Sequence, residues 1–147
     1  MKEVVGRSLN VSVLPKIQDW SWALDPVRDQ GYSCGSCWAF TAVAIIEAHH
    51  YIKHYEIISL SDITGFALFP SGDEKKLKTV VGKIGPVGFD ASLDTFVNYQ
   101  SGIYYDTRCS RDNITHALLI VGYGTENGMD YWLIRNSWVI FEFLHLN

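Results

Sequence analysis

From Cys37 to about His54 the chain has neither Gly nor Pro. Trp38, Ala42, Ile45, His49 and Ile52 recur at spacings of four and three, which is one face of a helix. Phe40, Val43, Ala44 and Ile46 place further apolar residues on the other faces, the pattern of a buried helix. A second helix is predicted after the turn Phe69-Pro70-Ser71-Gly72. Ser71 and Glu74 have the spacing of a capping box. Leu77, Val80, Val81 and Ile84 form its stripe, and Gly85-Pro86 stops it. Beyond it, residues 86–91, 117–123 and 131–135 are short runs rich in β-branched or aromatic residues and read as strands. Residues 1–19 show no period, and residues 20–36 are rich in Gly, Pro, Asp and Ser and read as loop. A helix-rich first half followed by a strand-rich second half predicts an α+β protein with segregated layers.

Composition narrows the class. The chain has 147 residues, 48% of them hydrophobic and 19% charged, enough apolar content for one core. A net charge of −4 forms no basic stripe, so nucleic acid is not an expected partner. No apolar run approaches a bilayer span, and the first residues lack the apolar stretch of a secretory signal. There are three cysteines, Cys34, Cys37 and Cys109, an odd number that cannot pair completely within one chain.

Cys37 opens the first predicted helix. A thiol there faces the positive end of the helix dipole, which favours the thiolate nucleophile. Its backbone N–H lies in the first turn, unclaimed by the helix, and can donate to an oxyanion. Cys34-Gly35-Ser36-Cys37 also has the C-x-x-C spacing of a dithiol redox module, although no βαβ pattern surrounds it.

The stretch Gln30-Gly31-Tyr32-Ser33-Cys34-Gly35-Ser36-Cys37-Trp38-Ala39-Phe40 resembles the nucleophile segment of the papain-like cysteine peptidases. Residues 115–124, Thr-His-Ala-Leu-Leu-Ile-Val-Gly-Tyr-Gly, resemble that family's histidine strand, and residues 130–138 resemble its asparagine segment. Ser71-Gly72-Asp73-Glu74, Gly85-Pro86-Val87 and Ser101-Gly102-Ile103-Tyr104-Tyr105 look like further landmarks, closest to the cathepsin L-like branch. The resemblance implies a papain-like fold with a helical left lobe around the helix from Cys37 and an antiparallel β-barrel right lobe. It implies a thiol endopeptidase in which Cys37 attacks, His116 transfers the proton, Asn136 orients His116 and the Gln30 side chain supplies a second oxyanion donor. Trp138 would shield the His–Asn bond. It further implies peptide or protein substrates, propeptide-like or cystatin-like inhibitors, no metal or other cofactor, and a lysosomal or extracellular location.

The sequence departs from the family in ways that carry expectations of their own. His and Asn fall roughly 130–150 residues after the nucleophile in the family. Here His116 and Asn136 follow Cys37 by about 80 and about 100. The shortening falls after about residue 62 and removes the stretch that lines one wall of the cleft. The closing strands after Asn136-Ser137-Trp138 are also absent. Residues 1–13 read as an irregular lead-in, the end of a propeptide, and residues 14–147 as one peptidase domain with a reduced left lobe and an incomplete barrel. By the same resemblance, Cys34 and Cys109 have lost their disulfide partners. Gln30 stands seven residues before Cys37, one more than the family spacing, with Tyr32 or Ser33 as the insertion. Three readings follow: an active endopeptidase, a catalytically silent relative with an incomplete cleft, and the dithiol module.

Overall fold

A strand predicted to be apolar almost throughout has to be covered on both faces, and the longest strand among the described residues is so covered. A computed structural model of the chain describes residues 14–31, 34–56, 72–91, 99–107, 115–137 and 144–146. Strand β4, His116–Glu126, is buried from His116 through Gly124. Along one edge it pairs antiparallel with β2, Val87–Ala91, and then with the short β1, Gln18–Asp19. Along the other it pairs with β5, Met129–Arg135, through the hairpin turn Asn127–Gly128. Both turn residues have positive φ, 51° and 80°, as a two-residue turn of matching twist requires. The remaining pairs are β5 with β6, Leu144–Leu146, and β6 with β3, Ile103–Tyr104, the one parallel pair among the described strands. The order β1-β4-β5-β6-β3 is that of an open sheet.

The core is the contact of this sheet with helix α2, Glu74–Lys83. Val81, Leu118, Ile120, Tyr123 and Ile134 are fully buried together, with Leu77, Val87, Trp20 and Trp132 packed against them. The predicted stripe of α2 is used in part: Leu77, Val80 and Val81 face inward, whereas Ile84, at the C-cap, is 42% exposed. Its cap differs from the expectation. The N-cap is Asp73, whose carboxylate accepts from the Lys76 N–H at 3.0 Å, and Ser71 lies outside the described residues.

Helix α1, Cys37–His54, has the predicted bounds but a different inner face. Only Thr41 and Ala48 are buried, with Ile45 and Ile52 half-buried on the same stripe. Trp38 is 68% exposed, and Ala42 is exposed as well. The apolar circumference is thus not buried all round. What selects the face is the sheet. A side chain at Gly88 of β2 would come within 2.8 Å of Ile45 Cδ1 and 3.1 Å of Thr41 Cγ2, so α1 lies directly on the backbone there. Near its far end, His49 Nε2 meets the Pro86 carbonyl at 2.8 Å. The right-lobe sheet and the central left-lobe helix of the expected α+β, papain-like fold are both present.

Candidate active site

Antiparallel pairing alone brings two of the predicted site residues together. His116 begins β4, and Asn136 directly follows the last residue of β5. The register Leu119↔Arg135 carries Asn136 alongside Leu118, a diagonal neighbour of His116. The two side chains meet at 2.9 Å, His116 Nε2 to Asn136 Oδ1, and both are buried.

The direction of that bond follows from its surroundings. The Ser137 backbone N–H meets the same Asn136 atom at 2.8 Å, and a backbone N–H can only donate. The shared atom is therefore the amide oxygen, and His116 Nε2 carries the proton it donates. In the neutral ring Nδ1 is then the basic nitrogen. Burial lowers the His116 pKa below 6.5, and the Asn136 bond opposes this in part.

Gln30 is held by the same neighbour. Its Nε2 donates to the Cys34 carbonyl at 2.9 Å, which fixes the amide orientation because a carbonyl can only accept. Its Oε1 accepts from the Ser137 hydroxyl, and its backbone N–H donates to the Ser137 carbonyl at 3.1 Å. Ser137 thus contacts both Asn136 and Gln30 with all three of its polar groups. Residue-by-residue reading of the sequence did not assign it this role, and its only signal is its place next to Asn136.

Cys37 is the first residue of α1, with a free, half-buried thiol. Ser36 is the N-cap and makes no side-chain capping bond. Among the described residues no acceptor takes the Cys37 N–H, which leaves it open to a ligand. The structure therefore joins His116 to Asn136 and Gln30 to Ser137. Cys37 is linked to them through the Gln30–Cys34 loop contact, and no hydrogen bond from it to His116 is among those of the described residues. Tyr32, Ser33, Cys109 and Trp138 lie outside the described residues.

A cavity of about 240 Å³ lies between α1 and the β4–β5 pair, lined by Phe40, Ala44, Glu47, Leu119, Asn136 and others. Neither Cys37 nor His116 lines it. Among the described residues no group of three or more His, Cys, Asp or Glu side chains is arranged to hold a metal ion, and no helix is long and apolar enough to cross a membrane.

A sequence model of the papain family cysteine proteases matches residues 14–64 and 60–140. The chain is 32% identical over 188 aligned positions to cathepsin L of Sarcophaga peregrina, covering 85% of this chain and 55% of that protein. It is 32% identical over 184 positions to cathepsin K of Gallus gallus, covering 84% of this chain and 55% of that one. The chain thus spans about half the length of these curated relatives. Among solved structures, digestive procathepsin L 3 of Tenebrio molitor larval midgut superposes with a TM-score of 0.86 at 24% identity, covering 94% of this chain and 66% of that one. Procathepsin L2 of the same tissue superposes with a TM-score of 0.77 at 29% identity, covering 93% and 64%. The matched segments include Cys37, His116 and Asn136, and the fold around them is that of cathepsin L-like structures: the chain belongs to the papain family of cysteine proteases.

Proposed function

We propose that this chain carries the catalytic centre of a cysteine endopeptidase that cleaves peptide bonds through a thioester acyl-enzyme. The observation that carries this reading is the His116 Nε2–H donation to Asn136 Oδ1, which leaves Nδ1 as the base. In this reading His116 Nδ1 takes the Cys37 proton, and the thiolate attacks the substrate carbonyl carbon. The imidazolium then protonates the leaving amine, and a water molecule activated by His116 hydrolyses the thioester. The oxyanion is held by the Cys37 backbone N–H and by Gln30. One Gln30 amide hydrogen is engaged by Cys34, and the second is available. Peptide and protein substrates, propeptide-like or cystatin-like inhibitors, and a lysosomal or extracellular location belong to the same proposal.

The silent-relative reading has specific support of its own. The alignment to the Sarcophaga protein runs over 188 positions against 147 residues here, and the two family segments meet at residues 60–64. Both favour an internal shortening near residue 62. The large exposure of Trp38, next to the nucleophile, favours an incomplete wall. The dithiol-module reading lacks such support, since no βαβ unit occurs among the described elements.

An epoxysuccinyl thiol probe separates these readings. Stoichiometric labelling at Cys37 that is lost in His116→Ala, together with cleavage of a fluorogenic peptide, is the expected result. No labelling, or equal labelling of Cys34, Cys37 and Cys109, would overturn the endopeptidase reading.

A further inference from the structure

The Cys34 side chain takes no part in the chemistry above, yet it is an exposed thiol three residues from the proposed nucleophile. Both described cysteines are free, so the possible partners of Cys34 within the chain are Cys37 and Cys109. Its side chain is already turned along the chain toward the helix, since Sγ donates to Ser36 Oγ at 3.0 Å. Ser36, at φ −100° and ψ 14°, is the N-cap that leads directly into Cys37 and α1. Disulfides span Cα separations of about 4.4–6.8 Å, so closing this one draws residues 34–37 into a four-residue turn, whose end Cα atoms lie within about 7 Å. The intervening Gly35 meets nothing within 4 Å of where a side chain would stand, so the loop has open space in which to close.

We propose that Cys34 is a redox-modification site that closes a reversible disulfide with Cys37. The consequence for activity, though not the bond itself, rests on reading Cys37 as the nucleophile. The oxidant is a hydroperoxide. The Cys37 thiolate attacks the peroxide oxygen, breaking the O–O bond and releasing an alkoxide or hydroxide that takes up a proton, which leaves a sulfenic acid on Cys37. The Cys34 thiolate then attacks the Cys37 sulfur. The S–O bond breaks, and hydroxide leaves as water with the proton Cys34 gave up. Two thiols and one hydroperoxide become one disulfide, one alcohol or water, and one water. Reduction by a dithiol returns both thiols. Cys34 thereby diverts Cys37 from irreversible over-oxidation while holding it inactive.

The test treats the full chain with a small excess of hydrogen peroxide and alkylates the remaining thiols. Trypsin then releases Asp29–Lys53, which contains both residues. The expected product is this peptide lighter by two hydrogens and unalkylated, restored by dithiothreitol. In Cys34→Ser, Cys37 gains two or three oxygens instead, and dithiothreitol does not restore its labelling by the thiol probe. A Cys34–Cys109 or interchain bond overturns the proposal, as does equal recovery of labelling in Cys34→Ser. If the disulfide forms but His116→Ala labels like the parent chain, the modification site stands and the endopeptidase reading falls.

Discussion

His116 Nε2 and Asn136 Oδ1 meet at 2.9 Å, and the backbone N–H of Ser137, 2.8 Å from the same oxygen, dictates which of the two side chains donates. Two adjacent residues after β5 therefore set the protonation pattern of a ring that begins β4.

That bond works against the burial of the ring. Burial lowers the His116 pKa below 6.5, and Asn136 raises it in part. As pH falls, the unfolded chain takes up the proton before the folded one, so the folded state loses ground. The contribution of His116 to stability is complete above the unfolded pKa of about 6.5 and is lost as pH falls toward the lower folded value. Urea denaturation should show a midpoint that declines through this window and a smaller decline in His116→Ala. In Asn136→Ala the His116 NMR titration should move to still lower pH. An unchanged or higher titration point in that variant would remove Asn136 from this role.

Ser137 holds the Gln30 carbonyl oxygen, so Ser137→Ala tests whether Gln30 is positioned or simply nearby. Losing one neutral hydrogen bond should cost about 0.5–1.5 kcal/mol of stability. Gln30→Ala, which removes the proposed oxyanion donor itself, should lower kcat by about 10²- to 10³-fold. Ser137→Ala should fall between that variant and the parent in kcat, with Cys37 alkylated by iodoacetamide at the parent rate. Parent-like kcat in Ser137→Ala would show that the backbone bond between residues 30 and 137 suffices.

In the proposed reading, the distance between Cys37 and His116 depends on how closely α1 approaches the sheet, and Gly88 is where they touch. An added methyl group would meet Ile45 Cδ1, the end of a flexible side chain that can yield, and Thr41 Cγ2, which has to give by only a few tenths of an ångström. Gly88→Ala should therefore be mild. Gly88→Val overfills the contact and should cost about 1–3 kcal/mol. It should also slow epoxide labelling of Cys37 by displacing the helix that carries it. Equal labelling rates in the parent and Gly88→Val would show that α1 is located by other contacts.

How much of this was legible in the sequence differs from element to element. The bounds of α1 were, because no Gly or Pro interrupts it, and so was β4, because its apolar run fits a doubly covered strand. The inner face of α1 was not. Apolar residues surround that helix, and the choice of Thr41, Ile45, Ala48 and Ile52 over Trp38 and Ala42 is made by the bare backbone at Gly88. The α2 cap moved from Ser71 to Asp73 because both residue types accept N–H groups, and spacing alone does not rank them. His116 and Asn136 were legible only through family resemblance, since a lone His before an apolar run is ordinary. Ser137 was hidden for a different reason: its partner Gln30 lies 107 positions away.

Arg135 presents the same long-range dependence and yields the last prediction. It is only 8% exposed, and its Nη2 donates to the carbonyls of Asp25 and Pro26, at the start of the loop that leads to Gln30. Arg135→Met keeps the buried stem but removes the nitrogen that donates to both carbonyls. Hydrogen bonds to a charged group are worth about 1.5–3 kcal/mol, and these carbonyls belong to residues that keep some contact with water, so the loss should lie at the low end. The loop should loosen before the sheet does. Trypsin should cut after Arg28, in the same loop, several-fold faster in Arg135→Met than in the parent, and Gln30-dependent kcat should fall with it. Arg135→Lys should restore part of both, because its ammonium keeps the charge and the donors while its different length and shape fit the site less well. If trypsin cuts the parent and Arg135→Met at the same rate, the loop is held by its bond from residue 30 to residue 137 and not by Arg135.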